Sequence, residues 1–213
     1  MALIAGLLLM ASMVVLALAV ATGMLLEKRM TGHFADGQLA LQRARLGGQW
    51  ASHWLQSRIG DPFHAQCDTA CGPTPPVFEV GALPDHPEFE DAAWWRMNGE
   101  IAGHEPEAGP RLDYSLPGTE DPRWLIEALH QEPMEGFAAE PGEPPPTLGY
   151  YRVLSRGTGR YPGSIAVTET IIARPWVPDF EPAPFPPDAD APAFCDQVPE
   201  EIPCGRLGWN RRR

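Results

Sequence analysis

The sequence predicts an α+β protein, in which one long N-terminal α-helix, half transmembrane and half amphipathic, packs on a small antiparallel β-sheet and a proline-rich tail follows. Three observations predict it. Residues 1–26 carry no charged side chain. Apolar residues then recur at helical spacing to about residue 58, and three later runs rich in β-branched and aromatic residues are each bounded by proline or glycine.

The chain of 213 residues suits one domain with appendages, because a single hydrophobic core is comfortable at roughly 100 to 200 residues. Its acidic side chains number 28 against 16 basic ones, for a net charge of −12 and a pI near 4.8. Affinity for nucleic acid comes largely from Lys and Arg, so no nucleic-acid partner is expected.

Met1 to Leu26 is followed at once by Glu27, Lys28 and Arg29. A helix of that apolar length reaches about 39 Å, more than the roughly 30 Å of a bilayer's hydrocarbon core. Residues 1–26 therefore read as a membrane segment. A cleaved signal peptide is the alternative, since Ala19, Val20 and Ala21 form a small-x-small pattern. Against it, the run exceeds the roughly 7 to 15 residues of a signal core and no basic region precedes it.

The helical pattern continues through Met30, Phe34, Leu39, Leu41, Leu46, Trp50, Trp54 and Leu55, and Gly60, Asp61 and Pro62 close it. Residues 27–60 are thus the amphipathic continuation of a helix roughly 85 to 90 Å long. Gly23, Gly32, Gly37, Gly47 and Gly48 each cost about 1 kcal/mol relative to alanine, so bends or local melting are expected there.

Residues 61–174 read as the globular body. Up to residue 120 the chain is rich in proline, glycine and acid, with a short apolar stretch, Val77 to Val80, and a Trp94–Trp95 pair that reads as core. Strands are predicted at Trp124 to Leu129, Tyr150 to Ser155 and Ser164 to Ala173. The loop from Arg156 to Gly163, with Gly157, Gly159 and Gly163, reads as a hairpin with residues at positive φ. In the third strand Ile165, Val167 and Glu169 share one face and Ala166, Thr168, Thr170 and Ile172 the other. One face must rest on the helix, since no other apolar layer is apparent.

Residues 175–213 form an acidic tail in which prolines recur every few positions, a composition that favours extended polyproline geometry. Phe180, Phe185 and Phe194 are candidates to pin it to the body, and Arg211 to Arg213 reads as a solubilising end. The four cysteines fall as two local pairs, Cys67 with Cys71 and Cys195 with Cys204. Two local disulfides are the simplest of the three possible connectivities. A four-thiolate zinc site fits less well, because the second pair is too widely spaced.

No Gly-x-Ser-x-Gly elbow appears, and the six histidines are scattered singly. Gly157-Thr158-Gly159 lacks the ending of a phosphate loop. The acidic groups Glu88, Glu90 and Asp91, and Asp188 and Asp190, lack the spacing of a calcium loop. The expectation is a protein that is not an enzyme and has no cofactor or metal.

The run Leu26-Glu27-Lys28-Arg29-Met30-Thr31-Gly32, leading into Asp36, Leu39, Ala40, Gln42 and Ala44, resembles the N-terminal signature of the PilX-type minor pilins of type IV pili. In that family a Glu-x-Arg-Met-Ala-Gly-Asn motif follows the apolar segment; Thr31 and His33 depart from it. Pro122 to Glu127 and Tyr151 to Gly159 resemble the family's later strand and Gly-x-Gly hairpin. The resemblance covers roughly residues 1–60 and 121–173 and rests on Glu27, Arg29, Met30 and Gly32 above all.

This resemblance implies a pilin-like fold and a subunit processed and methylated at its N-terminus, at Met1 if that residue is the mature end. It implies a single-pass inner-membrane protein with a periplasmic C-terminal domain, assembled through its helix with other minor pilins and the major pilin. A PilY-type tip adhesin is a further expected partner, and adhesion or twitching motility the expected outcome. Position five is Ala5 where major pilins carry glutamate, which fits a place at the filament tip. Two other readings stand beside it: a GspK-like pseudopilin of a type II secretion system, and a single-pass periplasmic binding or sensor module with a ligand near Trp94 and Trp95.

Overall fold

The computed structural model describes residues 2–58, 66–67, 77–103, 119–134, 146–161, 163–177, 180–185 and 193–212. Helix α1 runs unbroken over Ala2–Ser57, about 84 Å at 1.5 Å per residue. The local melting expected at its glycines is absent. Gly23, Gly32 and Gly37 stand in open space, whereas Gly47 and Gly48 lie against Ser155 of the sheet.

The strands are β1 (Gln66–Cys67), β2 (Val77–Phe78), β3 (Glu100–Ile101), β4 (Arg123–Pro133), β5 (Thr147–Thr158), β6 (Ile165–Trp176) and β7 (Gly205–Arg212), with a short helix α2 over Ala92–Asn98. Among the described residues they form one seven-stranded sheet, ordered β1-β2-β4-β5-β6-β7, with β3 pairing β4 off that path. The two pairs involving β2 are parallel and the rest antiparallel. The three predicted strands are all present, each extended by several residues.

One face of the sheet packs on the second half of α1. Trp50, Ala51, Trp54 and Leu55 meet Trp124, Ile126, Tyr151, Val153, Ile172 and Trp176 in one buried cluster. The even-numbered face of β6 therefore rests on the helix, as a strand with period 2 requires. The opposite face is not bare: Leu125, Leu154 and Val167 are covered by Phe78, Leu83 and Trp95, with Trp94 packed at the margin. The Trp94–Trp95 pair was expected in the core, but a second apolar layer was not, because it is assembled from the short elements β2 and α2 and the loop at Leu83. Asp91 caps α2 by accepting from Trp94 N at 2.7 Å, and the buried Trp95 indole donates to Pro87 O at 3.1 Å.

The proline-rich segment is pinned by the phenylalanines expected to hold it, and its end forms a strand that the sequence did not suggest. After residue 175 it crosses the end of α1, where Phe185 meets Trp50 edge-on and Phe194 is buried against Phe180. It then returns as β7, which pairs with β6 from Val167 to Ala173. Cys195 and Cys204 form a disulfide just before that strand. Arg212 is not a solubilising end, for it bridges Glu169 and Glu88. Cys71 lies outside the described residues, and so do the side chain of Cys67, Met1, and Asp188 and Asp190.

Buried Arg174 closes the C-terminus of α1, donating to the Arg58 carbonyl and to Gln56 O at 3.4 Å. Its guanidinium lies 3.6 Å from the centre of the Trp176 ring. A cation suits this place, where the helix ends in unpaired carbonyls and the negative pole of its dipole. Burial pushes this guanidinium down to about 9, which leaves it charged at neutral pH.

Candidate assembly surface

Two different surfaces share α1. In the second half the buried positions are Asp36, Ala40, Leu41, Arg43, Ala44, Gly47, Trp50, Ala51, Trp54 and Leu55, a stripe at spacings of three and four. Its upper part is a seam of small residues. There the hairpin between β5 and β6 comes so close that a Cβ on Gly157 would sit 2.3 Å from Ala40 O and Ala44 N, and one on Gly159 would sit 2.5 Å from Asp36 Oδ2. These glycines are present for proximity. The hairpin expected at Arg156 to Gly163 is present between β5 and β6, but Gly157, Gly159 and Gly163 are not among the positive-φ glycines, which in the described residues are Gly81, Gly103 and Gly205.

Asp36 joins helix to hairpin. Its carboxylate accepts from Arg160 N at 2.6 Å and Tyr161 N at 3.0 Å, and a hydrogen bond from the Ser164 side chain is the largest influence holding its pKa below the ordinary value. One turn earlier, His33 lies against the Tyr161 ring, centroids 5.4 Å apart. Farther down, Ser155 Oγ donates to Ala44 O at 2.6 Å. Arg43 donates to Glu120 O at 2.6 Å, and Arg156 and Arg96 both bridge the Glu120 carboxylate. The Arg156 hydrogen bond leads in holding the Glu120 carboxyl below its usual range.

Above Asp36 the helix leaves the body. Leu7, Met10, Val15, Leu16, Leu26, Met30 and Phe34 are each exposed by about 60 to 70%, and the apolar window, of mean hydropathy 2.4, is 0% buried. This one N-terminal helix is long and apolar enough to cross a membrane. Ser12, Thr22 and Thr31 return their hydroxyls to the carbonyls of Leu9, Ala19 and Glu27. That pairing keeps the hydroxyl hydrogens satisfied along an apolar surface.

Glu27, Arg29 and Met30 are exposed on this free half, and Gly32 has open space around it. The structure does not bring them to the body. Met30 and Phe34, expected in the apolar stripe that packs, belong instead to the free surface. Leu41, Trp50, Trp54 and Leu55 are buried as expected. Sequence reasoning missed the seam of Ala40, Ala44, Gly47 and Gly157. The signal available was small residues at helical spacing opposite a Gly-x-Gly.

The acidic group near residue 90 is committed elsewhere, with Glu88 on Arg212 and Asp91 on the cap of α2. Among the described residues no three His, Cys, Asp or Glu side chains converge as metal ligands. Of the tryptophan pair, Trp95 is fully buried and Trp94 packs half-buried at the margin of the same cluster. What the arrangement offers is an exposed apolar helix, roughly 50 Å over its first 34 residues, continuous with the half that packs on the sheet. No protein-family model matches the chain, and no curated protein and no solved structure matches it.

Proposed function

We propose that this chain is a minor pilin of the PilX type, anchored in the inner membrane by residues 1–26 and transferred into a type IV pilus with other minor pilins. The observation that carries the reading is the free half of α1, whose apolar side chains stand exposed over about eight turns on a helix docked firmly below Asp36. Apolar surface of this extent leaves a bilayer only if a comparable surface replaces the lipid. Neighbouring staves in a filament core provide it, at about 25 cal/mol for each Å² kept from water.

The spacing supports the same reading. From Leu26 to Asp36 the helix advances about 15 Å, and Glu27, Lys28 and Arg29 lie in that interval. The head thus stands clear of the hydrocarbon with a charged collar beneath it. In this reading the protein acts by shape and burial, not by catalysis, and its place is at the filament tip.

Intact mass spectrometry of the protein from sheared filaments and from inner membrane tests this. A methylated N-terminus with residues 1–26 retained, present in the filament fraction, is the expected result. A terminus near Thr22 in both fractions would remove the anchor and with it the proposal.

A further inference from the structure

A cleft of about 600 Å³ opens between α1 and the β6–β7 edge, lined among others by Arg45, Gln49, Ser52, Thr170, Arg206 and Trp209. Arg96, Arg152, Arg156 and Arg212 are each paired with a carboxylate, whereas among the described residues neither Arg45 nor Arg206 has one. In a molecule of net charge −12, two uncommitted guanidiniums on one concavity make a positive hole in a negative surface, which steers carboxylates toward it.

The strand geometry is built to converge there. Between β6 and β7 the register shifts, so that Ile171 faces Gly208 while Ile172 faces Arg206. Leu207 is the extra residue. Arg206 and Trp209, three apart and otherwise on opposite faces, thereby both project to the helix side, opposite Ile172 and Thr170. From the helix, Arg45 lies over the Trp209 ring at 5.0 Å. A guanidinium held over a ring still carries N–H donors that a carboxylate can take.

β7 is also the last strand of the sheet, so its outer row of N–H and C=O groups is open among the described residues. We infer that this cleft and edge are a docking site for an extended acidic segment of a partner protein, which adds a strand to β7 and places a carboxylate between Arg45 and Arg206. Because side chains of a strand alternate, acidic residues at i and i+2 would both face the cleft. Lipid headgroups do not reach it. Arg45 lies 19 residues beyond Leu26, about 28 Å along the helix, while the headgroup layer extends only about 5 to 8 Å past the hydrocarbon. The inference stands apart from the filament reading, since any carboxylate-bearing partner on this side of the membrane meets the same site.

The test is selection of eight-residue peptides from a random display library on the full-length protein in nanodiscs, followed by affinity measurement on a synthetic copy of the enriched sequence. Asp and Glu enriched at alternate positions are expected. Binding should fall at least tenfold when those acids become Asn and Gln, and again in Arg45→Gln/Arg206→Gln. The peptide should slow hydrogen exchange along residues 206–212. Arg206→Gln alone serves should the double variant lose its fold. Enrichment without acidic bias, unchanged binding in both variants, or displacement of the peptide by phosphatidylglycerol vesicles or equimolar inorganic phosphate would overturn the inference.

Discussion

The two halves of α1 have the same backbone and opposite surfaces. Over Leu7 to Phe34 the large apolar side chains point in every direction and are exposed; from Asp36 to Leu55 only one stripe is apolar and it is buried. The difference teaches that hydrophobicity and burial within the chain are separate properties. The more apolar half contributes nothing to the core of the folded head, and the less apolar half builds it with tryptophans, alanines and a glycine. The first half is stable only in a medium that the rest of the chain does not supply, whether lipid or other helices.

The comparison breaks most strongly at Trp54. This side chain is 1% exposed and meets Trp124 with ring centroids 5.7 Å apart. Removing so large a buried ring costs about 3 to 5 kcal/mol, so Trp54→Ala is expected to lower or abolish the cooperative melt of the head in detergent-solubilised protein. Leu18→Ala, at a position 62% exposed, should leave that melt within about 0.5 kcal/mol of the wild type. Equal losses at the two sites would mean that the free half folds back on the head.

A pair of glycines sharpens the contrast. A methyl group on Gly157 meets backbone atoms of Ala40 and Ala44, which cannot rotate away, whereas one on Gly32 meets nothing within 4 Å. Gly157→Ala should therefore destabilise the head by about 1 to 3 kcal/mol through overpacking, and Gly32→Ala should leave its melt unchanged. A harmless Gly157→Ala would show that hairpin and helix are farther apart than this packing requires.

How much of this was legible depends on whether an element announces itself by pattern or by what it touches. The extent of α1 was legible because an uncharged run and a period near 3.6 both survive without tertiary context. β4, β5 and β6 were legible at their centres, where Ile126, Val153 and Val167 stand among β-branched and aromatic neighbours. β7 was not, because Gly205 to Arg212 offers only Leu207 and Trp209 among Arg, Gly and Asn. Its pairing comes from the open edge of β6 and from the Cys195–Cys204 bond that delivers the chain there. The Gly-x-Gly was seen but its reason was misread: sequence shows a glycine, and only packing shows whether it is needed for φ or for space. The cleft at Arg45 and Arg206 was invisible for a related cause, since its two cations lie 161 positions apart.

The smallest expected effect lies at the boundary between the halves. The ionised Asp36 carboxylate holds the hairpin tip through the backbone N–H groups of Arg160 and Tyr161, and its pKa is lowered from 3.8 by the Ser164 side chain first and these N–H groups after it. A depressed carboxylate pKa contributes stability that is present above the unfolded-state value and is lost as pH falls through the folded one. Asp36→Asn should thus lower the melting temperature at neutral pH, and the gap to wild type should close as pH falls through 3.8 and below. Comparing the two proteins at each pH cancels the other carboxylates, including Glu88 and Glu120, which titrate in both. Hydrogen exchange supplies the local readout: in acid the amides of residues 160 and 161 should lose protection while those of residues 50–55 keep theirs. A gap that stays constant with pH would mean that the carboxylate's charge is not what ties the hairpin to the helix, and the boundary between the free and docked halves would then rest on the glycine contacts alone.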